Sequence, residues 1–147
     1  MYDNCNTKFD INIHCDKCFY NPQCHSFHKL NENEKEIYYY TCPSLAKNYN
    51  DADGIYRHMC LEIKKIHKPW IWVFDCYDYG LKHLICYKVG LKLIQLLNSD
   101  LSNKLIQIII INETFMFKLG FKYIWIKLPE QIKDIIIFDT NKSFSQL

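Results

Sequence analysis

The first 28 residues concentrate side chains that bind metal ions. Seven Cys and His residues lie among them: Cys5, His14, Cys15, Cys18, Cys24, His25 and His28. Cys15 and Cys18 have the two-residue gap of a zinc knuckle, and Cys24 with His28 could complete a tetrahedral set. This spacing predicts a structural zinc ion bound by Cys15, Cys18, Cys24 and His28. The alternative is that these cysteines are free thiols, because the sequence contains no second knuckle.

A cysteine nucleophile is the second chemistry to consider. Cys76 directly follows Asp75 and precedes His83 by seven residues. A Cys–His hydrolase needs its groups to meet in space, and an Asp at the end of a strand more often caps the following turn. The four glycines of the chain form neither a phosphate-binding loop nor a dinucleotide fingerprint. We therefore predict that the protein is not an enzyme.

The sequence shows no export signal and no membrane span. Its N-terminus lacks a charged region followed by an apolar one. Its longest aliphatic run, Ile108–Ile111, is far shorter than the roughly 18 residues that a spanning helix needs. Because free thiols and metal ligands outnumber disulfides in reducing compartments, we expect the eight cysteines to be mostly unpaired. The predicted location is the cytoplasm, which is the host cytoplasm if the chain is viral.

The basic residues comprise seventeen Lys and one Arg. Together with twenty Ile and twelve Asn, this bias is typical of an AT-rich genome, such as that of a protist or a large DNA virus. Arg is the preferred residue for bidentate contacts to bases and phosphates. The composition therefore argues against a nucleic-acid partner.

Alternating helices and strands, which must position these groups, begin near residue 51. Asp51 or Asp53 can cap a helix with an apolar stripe at Ile55, Met59, Ile63 and Ile66. Apolar segments rich in β-forming residues predict three buried strands: Trp70–Asp75, Leu105–Ile111 and Ile135–Phe138. Helices predicted at Leu81–Asn98 and Phe115–Leu128 connect them, and such long crossovers join parallel strands.

The predicted fold class is therefore α/β, with a small, mostly parallel sheet and crossover helices. Residues 51–147 form the α/β part. Residues 1–50 are rich in Cys, His, Asn and Tyr, and we expect them to form an irregular segment with short helices. A chain of 147 residues has the usual size of one compact unit.

Three passages, covering about half of the chain, resemble the core of the CRAL-TRIO domain, the fold of phosphatidylinositol and tocopherol transfer proteins. Trp72–Asp75 and the glycine-containing turn after it are similar to the central strand of the family. Ile109–Asn112 is similar to the next strand, which ends in Asn. Phe117 and Phe121 stand where the family has two aromatic residues in the following helix.

The chain also departs from the family pattern. Thr114 and Trp125 stand where the family has proline. The sequence ends nine residues after Phe138, before the gating helix that covers the lipid in the family. The N-terminal helical domain is absent or reduced to the Cys-rich segment. The resemblance therefore implies the fold and a lipid ligand, whereas we do not expect the full gated transfer mechanism.

The function that the resemblance implies is non-catalytic binding of a phospholipid or isoprenoid in an apolar cavity. The residues expected to line it are Phe74, Phe115, Phe117, Phe121, Ile124 and Leu128. Lys118, Lys122 and Lys127 alternate with aromatic residues and are candidates for contact with a lipid headgroup or a membrane surface. They are otherwise the solvated face of a helix.

A different class of function stays open beside lipid binding. The domain could be a structural or protein-interaction module that keeps the fold and fills the cavity with its own aromatic side chains. Homodimerisation through the same apolar surface would compete with lipid binding, because a large apolar patch seldom stays exposed. Cavity volume discriminates between the two functions, since an empty apolar pocket favours a ligand.

Overall fold

A computed structural model describes residues 17–18 and 24–139 of the chain. Within these residues one sheet has five strands: β1 His28–Glu32, β2 Ile37–Thr41, β3 Trp70–Asp75, β4 Leu105–Ile111 and β5 Ile136–Phe138. The α-helices in the same part are α1 Ala52–Ile63, α2 Leu81–Leu84, α3 Tyr87–Leu97, α4 Phe115–Lys127 and α5 Glu130–Lys133. The α/β class predicted from the sequence is confirmed.

The strands lie in the sheet in their chain order, from β1 to β5. β1 pairs antiparallel with β2, and the β2–β3, β3–β4 and β4–β5 pairs are all parallel. The parallel arrangement predicted for the three apolar strands is therefore confirmed. Their near-continuous apolar sequence is the pattern of parallel strands that are buried on both faces.

All three helical crossovers pack on the same face of the sheet. Right-handed connections between neighbouring parallel strands place every crossover on one side when the strands follow chain order. The main core shows this arrangement, because Trp72 and Phe74 of β3 pack with Met59 of α1, Leu93 of α3 and Phe117 of α4. The helical layer and this face of the sheet thus share one hydrophobic core.

The opposite face of the sheet is also apolar and buried. A second cluster contains Ile71 and Val73 of β3 with Ile109 and Ile111 of β4, and Tyr40 of β2 joins it. The exposed fractions of these five side chains do not exceed 5%. Burial on both faces agrees with the near-continuous apolar sequence of β3 and of β4 from Ile108 to Ile111, whereas a strand with one solvent-exposed face would alternate.

The helix predicted to begin near residue 51 is α1. Asp51 is its N-cap and accepts a hydrogen bond from the backbone N–H of Gly54 at 3.3 Å. The four residues of the predicted apolar stripe are all buried: Ile55, Met59, Ile63 and Ile66. Helix capping and periodicity therefore located the start of this helix correctly, whereas the helix ends at Ile63 and Ile66 lies beyond it.

The expectation of irregular structure in residues 1–50 is wrong for the part that forms β1 and β2. The β2 segment consists of β-branched and aromatic residues, which favour a strand. Its parallel partner β3 is about thirty residues away in sequence, and the two are joined by a hydrogen bond from Trp72 Nε1–H to Thr41 Oγ1 at 2.9 Å. A local sequence pattern cannot identify a strand partner that is so distant in the chain.

The single helix predicted at Leu81–Asn98 is wrong as well, because it is interrupted at Ile85 and Cys86. Cys86 has ψ 51°, outside the helical range, and stands before the first turn of α3. At the start of α2, His83 Nδ1 accepts a hydrogen bond from the backbone N–H of Gly80 at 2.9 Å, and this bond stabilises the short helix. Ile85 at this break and Leu91 after it are 66% and 47% exposed.

Substitution of Phe117 tests which side of α4 faces the sheet. Its ring is 6% exposed and lies 5.7 Å from the ring of Phe74, so Phe117→Ala should lower the free energy of unfolding by about 3–5 kcal/mol. Phe121 is only partly buried, and we expect a smaller cost there. Phe115→Ala is the matched control, because Phe115 is 70% exposed and its loss should change stability by about 0.5 kcal/mol or less. Equal costs for the two substitutions in urea titrations would mean that α4 is rotated from this orientation.

Candidate functional site

An open cavity of about 250 Å³ lies between α3, α4 and the sheet. The lining is mainly aliphatic and aromatic, and the side chains nearest the core are Phe74, Leu93, Ile94, Phe117, Phe121 and Ile124. A smaller void of about 50 Å³ lies against Ile110, Leu128 and Ile136, and it shares Phe74 and Phe121 with the cavity. The two voids are therefore neighbours that share part of their apolar lining.

Two glycines set the separation of the helices around the cavity. A Cβ at Gly120 of α4 would lie 2.7 Å from Leu84 Cδ1, so α2 and α4 touch at this point. A Cβ at Gly90 of α3 would lie 3.5 Å from Ile124 Cδ1, which is an ordinary contact distance. Both glycines line the cavity. The helices therefore approach closely at one place and leave space beside it.

One end of the cavity carries phenolic hydroxyl groups. Tyr49 and Tyr79 line it, and their rings lie 5.5 and 5.2 Å from the ring of His83. Burial raises the pKa of Tyr49 well above its usual value, and it raises the pKa of Tyr79 to about 12. The two hydroxyls also share a hydrogen bond with each other. One phenolic proton is therefore used within the pair, and the other can be donated to an oxygen of a ligand.

Most of the residues predicted for lipid binding meet at this space. Phe74, Phe117, Phe121 and Ile124 line the cavity, and Leu128 lines the smaller void. Phe115 lies outside both linings. It is 70% exposed in the first turn of α4, on a different side of the helix.

The three predicted headgroup lysines are exposed on α4. Lys127 lines the cavity, and Lys118 lies 3.8 Å from Glu113 in an ion pair. Beside them runs a second apolar stripe, directed away from the core: Phe115, Leu119, Tyr123 and Ile126, with exposed fractions of 70, 37, 76 and 77%. Helix α4 thus has one apolar face toward the cavity and another toward solvent.

Sequence reasoning missed several residues of the cavity. Tyr49 comes from the segment expected to be separate from the α/β part, and Tyr79 lies in the turn after β3. Gly90 could have been noticed in the sequence, because a glycine inside a helix destabilises the helix and often marks a close packing contact. The tyrosines gave no comparable signal, since eleven Tyr are spread along the chain.

Asp75 is held by three hydrogen bonds at the C-terminal end of β3. Its carboxylate accepts from Tyr40 Oη at 2.6 Å, from Asn112 Nδ2 at 3.0 Å and from the backbone N–H of Tyr77 at 2.9 Å. These bonds join the ends of β2, β3 and β4 and cap the turn. The turn-capping interpretation of Asp75 agrees with this geometry.

The cysteines do not share one environment. Cys76 is fully buried, and desolvation together with the nearby Asp75 carboxylate raises the pKa of its thiol far above the usual range. Thiolate formation, which nucleophilic attack needs, is therefore disfavoured at this position. Cys60 of α1 is disulfide-bonded, so the expectation of an unpaired cysteine is wrong there.

A second candidate site is a cluster of Cys18, His25 and His58. One ligand atom of each residue lies within 4.8 Å of the other two, an arrangement that could hold a metal ion. Cys18 Sγ is 3.4 Å from His25 Nδ1, and His25 Nε2 is 2.9 Å from Asp51 Oδ2. The pKa of Asp51 is lowered, because hydrogen bonds from Lys17 and His25 outweigh the opposing effect of its burial.

The cluster overlaps only in part with the predicted set of zinc ligands. Cys18 belongs to the cluster, and Cys15 lies outside the described residues. Cys24 is buried but is not a member of the cluster. His28 is on β1, exposed, with its ring 5.5 Å from the ring of Tyr40. The third member of the cluster is His58 of α1, which follows His25 by thirty-three residues in the sequence.

Comparison of the chain with protein-family models and with curated protein sequences gives no match. The CRAL-TRIO resemblance therefore stays a prediction from the sequence. In residues 17–18 and 24–139, no helix is both long and apolar enough to cross a bilayer.

Thiol labelling of the folded protein tests the environment of Cys76. We expect iodoacetamide at neutral pH to modify Cys86, which is partly exposed, and to leave Cys76 unmodified until the protein unfolds. Peptide mass spectrometry gives the extent of modification at each residue. Alkylation of Cys76 in the folded state at the rate of Cys86 would contradict the burial described above and would restore the nucleophile hypothesis.

Proposed function

We propose that this chain binds a hydrophobic ligand, a phospholipid or an isoprenoid, in the cavity between α3, α4 and the sheet, without catalysing a reaction. The observation that carries this proposal is the cavity itself, an open space of about 250 Å³ with a mainly aliphatic and aromatic lining. Ligand sites in proteins are typically concave and apolar with a few polar groups. The hydrogen-bonded pair of Tyr49 and Tyr79 hydroxyls supplies such a polar group.

The volume of the cavity favours one apolar chain as its occupant. It is close to the lower end of the roughly 300–1,000 Å³ that is usual for ligand pockets, and larger than the ~150 Å³ cavity that binds benzene in an engineered protein. The cavity is open to solvent at a rim formed by Tyr87, Leu91 and Tyr123, which are 47–76% exposed. One acyl or isoprenoid chain enters the protein in this arrangement, and the rest of the lipid stays at the rim.

The surroundings of the rim favour contact with an anionic membrane. The outward stripe of α4 presents Tyr123 and Ile126 to solvent, and Lys118 and Lys122 lie on the same helix. Exposed aromatic and aliphatic side chains beside lysines are typical of helices that lie in a bilayer interface. In this orientation the rim faces the membrane and the ligand passes directly between the two.

Substitutions at Gly90 test the cavity as the ligand site. Gly90→Leu places a branched side chain into the space, whereas Gly90→Ala is the matched control, because its Cβ makes only an ordinary contact with Ile124. Excluding two or three ligand methylenes should cost about 2 kcal/mol, which is roughly a thirtyfold loss of affinity. The measurement is displacement of a fluorescent phosphatidylcholine and of a fluorescent farnesyl probe. Equal affinity in the Leu and Ala variants would place the ligand elsewhere.

Charge reversal on α4 tests the membrane contact. We expect Lys118→Glu with Lys122→Glu to reduce binding to vesicles containing phosphatidylserine by at least about tenfold, since each lysine near an anionic surface contributes about 1 kcal/mol. The control pair is Lys29→Glu with Lys35→Glu, because the β1–β2 hairpin is at the other edge of the sheet from α4. Vesicle co-sedimentation gives the affinities. An equal loss in both pairs would reflect net charge and not a defined membrane face.

The competing function is a protein-interaction module that uses the outward stripe of α4. Its support is the exposure of Phe115, Tyr123 and Ile126, each at least 70% exposed. If neither lipid probe binds saturably and the protein forms a dimer that Tyr123→Ser with Ile126→Ser dissociates, the interaction module is the better description. Saturable binding of a lipid probe to the monomeric protein would instead support lipid binding as the function.

A further inference from the structure

We propose that Cys18, His25 and His58 bind one zinc ion. The cluster is separate from the ligand cavity and does not depend on the function proposed for it. His25 and His58 are buried, with exposed fractions of 1 and 7%, and Cys18 is partly buried. The ligand set differs from the one that cysteine spacing predicts, because two of its three members are histidines that the spacing left out.

The hydrogen bonds of His58 leave one ring nitrogen free to act as a ligand. Its Nε2 is 2.7 Å from the carbonyl oxygen of Phe27. Because a carbonyl oxygen can only accept, Nε2 must carry the proton, and the lone pair of the neutral ring is on Nδ1. Nδ1 is buried and has no hydrogen-bond partner among the described residues. An unpaired buried acceptor is costly unless something occupies it.

His25 is oriented in the corresponding way by Asp51. Its Nε2 donates to the Asp51 carboxylate at 2.9 Å, which leaves the lone pair of Nδ1 directed at Cys18 Sγ. Gly54 keeps room for this pair, since a Cβ there would overlap both Asp51 Oδ2 and His25 Nε2. A histidine whose second nitrogen donates to a carboxylate or a backbone carbonyl is the usual outer shell of a metal site. Asp51 and Phe27 supply one such acceptor each.

A metal ion satisfies all three groups, whereas the thiol proton cannot. One S–H can donate to only one of the two Nδ1 lone pairs. A zinc ion accepts both lone pairs and displaces the thiol proton. Bonds of roughly 2.3 Å to sulfur and 2.1 Å to nitrogen at a tetrahedral angle place these atoms about 3.6 Å apart. The distance from Cys18 Sγ to His25 Nδ1, 3.4 Å, is close to this value.

The chemistry of the donors favours zinc over the common hard cations. A thiolate and two imidazoles suit zinc, whereas magnesium and calcium prefer oxygen ligands. Three protein ligands leave one tetrahedral position of the ion for a further donor. A zinc ion bound there ties Cys18 and His25, which lies three residues before β1, to His58 in the middle of α1.

Zinc stoichiometry in ligand variants tests this assignment. We expect one zinc per chain in protein refolded with zinc and dialysed, and a content well below one in Cys18→Ser, His25→Gln and His58→Gln. Cys24→Ser and His28→Gln are the matched controls, because they lie in the same segment and belong only to the set that spacing predicts. Both controls should retain zinc. Retention in His25→Gln and His58→Gln, or a zinc-free parent protein, would overturn the proposal.

Three measurements on proteins with all three ligands intact test the site without depending on the folding of the ligand variants. Cobalt added to the parent chain should give a thiolate-to-metal charge-transfer band, and zinc should protect Cys18 from alkylation until a chelator is added. Asp51→Asn should weaken zinc binding by about 10–100-fold in a chelator competition, as loss of an outer-shell partner does. Absence of the band together with unprotected Cys18 would also overturn the proposal.

Discussion

Pairing of the parallel strands in chain order is the constraint on which the other features of this protein depend. Each of the connections from β2 to β5 joins neighbouring strands, so right-handed crossovers all lie on one face of the sheet. Three helical connections must then fit side by side over four strands. The cavity lies where α3 and α4 share this face, and its lining includes Gly90 of α3 and Gly120 of α4.

The segment before α1 contributes more to the structure than its composition indicates. It supplies β2, whose Tyr40 donates to the buried Asp75 carboxylate at the end of β3. It also supplies Tyr49 to the cavity and His25 to the Cys/His cluster. The two candidate sites therefore both depend on residues that reach the α/β core from this segment. A zinc ion at the cluster would hold the same segment in place and stabilise the position of β1.

Helix α4 illustrates how one element can serve two surfaces. Its inward residues, Phe117, Phe121 and Ile124, line the cavity, while Tyr123 and Ile126 face solvent. Thr114 caps this helix through the N–H of Phe117 and donates to the carbonyl of Tyr79. Thr114, which stands where the CRAL-TRIO pattern has proline, thus connects the helix to the turn after β3. Both apolar faces of α4 follow from that fixed orientation.

The sequence alone determined the α/β class, the three apolar strands and the positions of α1 and α4. These follow from local periodicity and capping, as Asp51 and the stripe from Ile55 to Ile66 illustrate. Two aromatic residues that line the cavity on α4, Phe117 and Phe121, were among those predicted, whereas Tyr123 was not and Phe115 lies on another side of the helix. Periodicity specifies which residues share a face, and it is reliable where one long element meets one core.

Only the tertiary structure decided which distant residues meet. The strand character of β2 depends on its pairing with β3, and the break at Cys86 separates α2 from α3. The cluster joins Cys18 and His25 to His58 on another element. Spacing in sequence measures distance along the chain, whereas ligands meet through strand order and helix placement. Those are set by packing over the whole domain, and no local pattern encodes them.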